Sequence, residues 1–184
     1  ALEILVVSSP AVAGMSSDTA ANLAVVLAQA GQRVCLVDAD LRRPSLHDIF
    51  HVPQDPGLTT FMLDNSIAQS VALVETTVPG LSLLPSGTLP PNPADILSSK
   101  KMTNLLEQLK GEADIVILQA PPVTVAVDAS VLAAQTDGLL LVVRTGHTRR
   151  DRVEQAQELL ERFGVRVLGT VLTDAPGRSL MTGY

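Results

Sequence analysis

The sequence is short of several things, and each shortage closes off a class of protein. One cysteine, Cys35, stands among 184 residues. A lone thiol excludes an internal disulfide and makes a reducing compartment the expectation. No apolar run reaches the roughly 18–20 residues that a bilayer demands, so no segment here is expected to span one. Basic residues are outnumbered 13 to 19, for a formal charge of −6 and a pI near 4.9. Binding phosphate backbones needs a basic face, which argues against nucleic acid as the main partner. Charged residues make up only 17% against 46% apolar, with a mean hydropathy of +0.31. Such a chain is neither a disordered polymer nor a collagen-like repeat. The histidines, His47, His51 and His147, lack metal-ligand spacing and belong on the surface or in caps. Internal repeats, low-complexity tracts and interdomain linkers are also missing. The length suits one α/β domain, 1–184, and two would be cramped. The first residue is Ala1 rather than Met, so a longer parent chain is expected.

What is present is an alternation. Strand-like apolar runs fall at 2–7, 34–37, 81–84, 115–118, 139–143 and 167–172. Helical spacing appears at 17–29, where Ala20, Leu23, Ala24, Leu27 and Ala28 recur before Gly31 supplies a stop. Further helical patterns lie near 100–110, 128–135 and 149–163. Continuous apolar strands separated by helices predict a three-layer, doubly wound, mostly parallel sheet. The stretch 54–92 is rich in Pro and Gly and reads as loops around short helices. Cys35 alternates within an apolar strand and is expected in the core, with no basic neighbour to lower its pKa.

Ligands of open α/β sheets bind beyond the carboxyl ends of the strands, beginning at the first strand-to-helix turn. Here that turn runs from Ser8 through Gly14 to Ser17, followed by Asp18. A phosphate-binding loop needs glycines whose N–H groups converge, then a lysine, then Ser or Thr for magnesium. Only Gly14 and the Ser17 hydroxyl fit; Ser16 holds the lysine position, behind Met15.

The wider pattern is nonetheless specific. Ser8-Ser9-Pro10, Ala20-Ala21-Asn22-Leu23-Ala24 and Val37-Asp38-Ala39-Asp40-Leu41-Arg42-Arg43-Pro44 resemble the cytoplasmic domain of bacterial tyrosine kinases (BY-kinases). So do Gly57-Leu58-Thr59, the run from Gly87 to Leu97 containing Pro90-Pro91-Asn92-Pro93, Ala120-Pro121-Pro122, and Asp137 to Arg144. That family is similar to the P-loop ATPases of chromosome partitioning and division-site placement. The resemblance implies a P-loop NTPase-like fold and a role in exopolysaccharide synthesis or export. It implies a place at the cytoplasmic face of the membrane, with a membrane polysaccharide copolymerase or active kinase copies as partners.

Residue by residue, the resemblance breaks where the chemistry sits. The family's Walker A loop falls on 11–17, with Ser16 for the lysine and Ala13 and Met15 for glycines. Its Asp-x-Asp, which helps hold magnesium and the incoming tyrosine, is intact as Asp38 and Asp40. Its Walker B aspartate falls on Gln119. An ionic hydrogen bond contributes roughly 1.5–3 kcal/mol, so losing the lysine and the carboxylate together costs about 3–6 kcal/mol. That corresponds to roughly 10²–10⁴ in affinity. The reading is therefore a pseudokinase with lost or strongly weakened ATP binding and no cofactor of its own, whereas active relatives use ATP and magnesium.

Two rivals stand beside it: a working tyrosine kinase with atypical motifs, and a non-catalytic scaffold of the partitioning-ATPase type. Asp18 and the Ser16 and Ser17 hydroxyls are expected to cap the helix that nucleotide caps in active relatives. Asp38 and Asp40 are either inherited site residues without catalytic duty or simple loop caps. Arg42 and Arg43 are open to pairing with those aspartates, to a subunit contact or to solvent. Tyr184, the only tyrosine and the last residue, matches the family's C-terminal tyrosine cluster and is the candidate phosphoacceptor. The family builds ring oligomers through a helix before the first strand, so an oligomer is an expectation for the full-length chain only.

Overall fold

The central apolar runs become strands covered on both faces, whereas the edge strand formed by the run at 167–172 has no fully buried position. In the computed structural model, described for residues 2–12, 15–64, 71 and 73–175, β1 (Ile4–Ser8), β2 (Val34–Asp38) and β5 (Ile115–Gln119) are buried at every position. The chain runs β1, α1 (Ser16–Gln29), β2, α2 (Leu46–Phe50), α3 (Leu58–Leu63), β3 (Val74–Glu75) and β4 (Leu81–Leu84). It continues α4 (Pro93–Leu97), α5 (Lys100–Glu112), β5, α6 (Asp128–Ala133), β6 (Leu139–Arg144), α7 (Arg150–Arg162) and β7 (Val167–Thr173). The seven strands pair in the order β3-β4-β2-β5-β1-β6-β7. Every pairing is parallel except that of β3 with β4. The expected three-layer, mostly parallel sheet is what forms.

The sheet's period of two sorts its side chains into two cores. Val34 and Leu36 of β2, with Ile115 and Ile117 of β5, face α1. That helix offers Ala20, Ala21, Ala24 and Ala28, residues small enough to let it sit close on the sheet. Cys35, Val37, Val116 and Leu118 point the other way, into the core closed by α5, α6 and α7. Cys35 is buried there as expected. Fully burying one such aliphatic side chain contributes roughly 1.5–3 kcal/mol, so the two layers hold the strands' carboxyl ends rigidly.

Three elements were illegible in the sequence. α2 and α4 are single turns of five residues, too short to show a period. β3 is two residues long and antiparallel. Among the described residues no helix is long and apolar enough to cross a membrane.

Candidate functional site

Parity places the site. Asp38 follows Val34 and Leu36 on the face toward α1, and Gln119 follows Ile115 and Ile117 on that same face. The two are Cα partners across the β2–β5 ladder, so their side chains lie side by side. Both are buried, at 0% and 1% exposure. Asp38 Oδ2 accepts the N–H groups of Ser45 at 3.0 Å and Leu46 at 2.9 Å, which ties the start of α2 to the end of β2. Asp38 Oδ1 has no hydrogen-bond partner. Gln119 donates through Nε2 to the Ala120 carbonyl at 3.1 Å, and its Oε1 is likewise unpartnered. Burial pushes the Asp38 carboxyl up to about 7, opposed by the Leu46 and Ser45 N–H bonds and aided by the nearby Asp40 charge.

Asp40 turns the next corner. Its Oδ1 accepts from the N–H of Arg42 at 3.2 Å and of Arg43 at 2.9 Å. Both aspartates therefore act as loop caps, whatever else they do. The Arg42 guanidinium pairs with neither. It reaches across to Asp128 at the start of α6, Nε to Oδ2 at 2.8 Å and Nη2 to Oδ1 at 3.2 Å. Arg43 stays exposed. Residues 42 and 128 are 86 apart in sequence, and no local signal marked Asp128 as more than a first-turn acid.

The first loop is fastened to the third. Ser8 Oγ donates to the Pro121 carbonyl at 2.7 Å, and the Val123 N–H donates to the Ser9 carbonyl at 2.8 Å. At α1 the expected capping is not formed. Met15 is the N-cap and makes no side-chain cap bond. Among the described residues, no hydrogen bond joins Asp18 or the Ser16 and Ser17 hydroxyls to the N–H groups that open the helix. Ser16 and Ser17 are already inside the helix, at N1 and N2, past the position from which a hydroxyl caps; Asp18, at N3, could reach back to the Met15 N–H but is exposed and makes no such bond. Thr19 Oγ1 instead donates back to the Met15 carbonyl at 2.8 Å. Ser16 is buried and Asp18 exposed. Gly14, Ala13 and Tyr184 lie outside the described residues.

The site thus gathers Asp38, Asp40, Gln119 and the opening of α1 at one end of the sheet. Carboxylates and an amide line the floor, the residue-16 side chain is a hydroxyl, and of the two arginines in the second loop Arg42 is held by Asp128 while Arg43 is exposed. A cavity of about 740 Å³ lies at the opposite end, between β2, β4 and α5. It is lined by Arg33, Cys35, Gly80 and Leu109 among others and includes no site residue.

Comparison with known proteins bears on the family and the fold. The ParA family model, described as NUBPL iron-transfer P-loop NTPase, matches residues 2–173. The chain is 40% identical over 156 residues to the tyrosine-protein kinase YwqD of Bacillus subtilis, covering 85% of this chain and 65% of that protein. It is 35% identical to the tyrosine-protein kinase CpsD of Streptococcus agalactiae, across 92% of this chain and 74% of that one. Against the tyrosine-protein kinase ptk of Acinetobacter johnsonii it spans only 23% of the relative's length. Among solved structures, the chimerical protein CapA2B2 superposes with a TM-score of 0.90 at 36% identity, covering 96% of this chain and 78% of that chain. The kinase domain of Escherichia coli ETK also reaches a TM-score of 0.90, at 30% identity, over 100% and 71% of the two chains.

Proposed function

The chain belongs to the bacterial tyrosine-protein kinases, within the ParA-like P-loop NTPases, and from that premise we propose that it is a pseudokinase domain of an exopolysaccharide system. In this reading its nucleotide site has lost most of its hold on ATP, and it acts through protein contacts. The observation that carries the reading is the charge inventory of the site. Asp38 and Asp40 remain, but Ser16 stands at the lysine position and Gln119 at the Walker B position. Of the two arginines of the second loop, Arg42 is committed to Asp128. A triphosphate brought here would meet two carboxylates and the exposed Asp18, with Ser16 in place of the lysine and the Arg42 guanidinium already held by Asp128; Arg43, exposed in the same loop, is the remaining cation among the described residues. Removing two charge-assisted contacts costs roughly 3–6 kcal/mol of binding.

By family resemblance, the partners are a membrane polysaccharide copolymerase or active kinase copies at the cytoplasmic face of the membrane. One observation favours the rival reading of a working kinase: the unpartnered Asp38 Oδ1 beside the unpartnered Gln119 Oε1 could face a hydrated cation. Incubation with magnesium and ATP, followed by phosphopeptide mass spectrometry, separates the two. The pseudokinase reading expects no phosphate on Tyr184 above background. Stoichiometric phosphotyrosine there would establish the working kinase instead.

A further inference from the structure

The three loops beyond β1, β2 and β5 are joined by contacts that involve no ligand. Ser8 and Ser9 fasten the first loop to the third, and Thr124 adds two more bonds to the Pro10 carbonyl, from Oγ1 at 2.7 Å and from its N–H at 3.2 Å. The second loop is held by Arg42. Its guanidinium forks onto both oxygens of Asp128, and its own N–H donates to Asp40 Oδ1 at 3.2 Å. One residue is therefore tied at its side chain to α6 and at its backbone to Asp40.

Two features set this pair apart from a surface ion pair. The Asp128 side chain is fully buried, while that of Arg42 is 42% exposed. A buried carboxylate cannot shed its partner without leaving its charge uncompensated. Asp128 also stands in the first turn of α6, where a carboxylate ordinarily serves its own helix. The N-cap there is Val127, which makes no side-chain cap bond. Both Asp128 oxygens go to Arg42. A planar fork on a carboxylate fixes the guanidinium in two directions, which a point charge does not.

We propose that Asp128 is the positioning residue for Asp40, acting through Arg42 as an internal clamp that keeps the loop after β2 seated on the start of α6. The inference rests on the weakened-nucleotide reading, because in that reading no phosphate or metal is left to organise these loops. The chain does it from within. The rim of the site then stays ordered in the empty state, and a protein partner meets one fixed surface.

Backbone amide exchange, followed by NMR on the 184-residue chain, tests the clamp. Arg42→Lys keeps the charge and removes the fork. The clamp predicts that the Arg42 and Arg43 amides exchange about tenfold faster, the worth of one charge-assisted hydrogen bond. Amides of Leu36 and Ile117, deep in the sheet, change less than twofold. Asp128→Asn gives the same pattern more strongly; should it fail to fold, Arg42→Lys carries the test alone.

A double variant, Arg42→Met with Asp128→Leu, separates positioning from packing. It is expected to recover the thermal midpoint without recovering protection at Arg42 and Arg43. Native-like protection in that double variant, or unchanged exchange in Arg42→Lys, overturns the clamp. Tight nucleotide binding by the unmodified chain would sink the weakened-nucleotide reading instead, and the exchange result would stand apart from it.

Discussion

Asp38 and Gln119 are registered partners on adjacent parallel strands, and each leaves one buried oxygen without a hydrogen bond. Two unpaired acceptors side by side in a dry setting are costly, since an unsatisfied buried polar atom forfeits roughly 1–3 kcal/mol. The pair is therefore a sensitive place to perturb.

Asp38→Asn tests the cost of the charge. The folded-state pKa near 7 lies above the ordinary value of 3.8, so between these values the native state binds the proton more tightly than the unfolded chain does. Stability from this group is full below about pH 4 and is lost as pH rises towards 7. At 1.36 kcal/mol per pH unit the loss reaches up to about 4 kcal/mol. Asparagine still accepts from Ser45 and Leu46 and brings an N–H donor towards Gln119 Oε1. Denaturant unfolding should show the variant gaining on the native chain from pH 5 to pH 8. A difference that does not vary with pH would place the Asp38 titration in the ordinary carboxylate range.

Gln119→Asp puts a second carboxylate beside Asp38. An uncompensated buried charge costs about 3 kcal/mol or more. For a domain of this size that lowers the thermal midpoint by roughly 6–12 °C at pH 8. Magnesium at 10 mM should restore part of the loss in the variant and do nothing for the native chain. A variant that melts with the native chain in the absence of magnesium would show that the two side chains do not share one environment.

Gly57 is where the Gly-Leu-Thr segment touches the loop after β4. A methyl group there would collide with the Pro85 carbonyl and the Gly87 N–H. Leu58 and Thr59 donate to the carbonyls of Pro85 at 2.7 Å and Ser86 at 2.9 Å, so neither backbone can retreat freely. Gly57→Ala should destabilise the domain by about 1–3 kcal/mol, the usual cost of overpacking. Chemical denaturation reads it directly, and an unchanged midpoint would mean the contact is looser than the geometry indicates.

Most of the architecture was legible because its strands are buried on both faces, which leaves uninterrupted apolar runs such as Ile115 to Leu118. Asp38, Asp40 and Gln119 were legible as a set through the family resemblance, and Asp38 and Gln119 stand at the ends of buried strands. The Arg42–Asp128 pair was not, since nothing in the sequence links two residues joined only by tertiary folding. The expected cap at α1 failed for a finer reason: a one-residue difference in where the helix begins moves Ser16 from the cap into the first turn. α2 and β3 escaped notice because one turn or two residues carry no period.

Calorimetric titration of the chain with magnesium-ATP and magnesium-ADP bears most directly on the central claim. The account predicts no measurable heat at micromolar nucleotide and at most millimolar affinity. It predicts a gain of roughly 10²–10⁴ when Ser16→Lys and Gln119→Asp are combined with glycine at positions 13 and 15. Micromolar binding by the unmodified chain would contradict it, and would mean that backbone N–H groups alone still hold the phosphates.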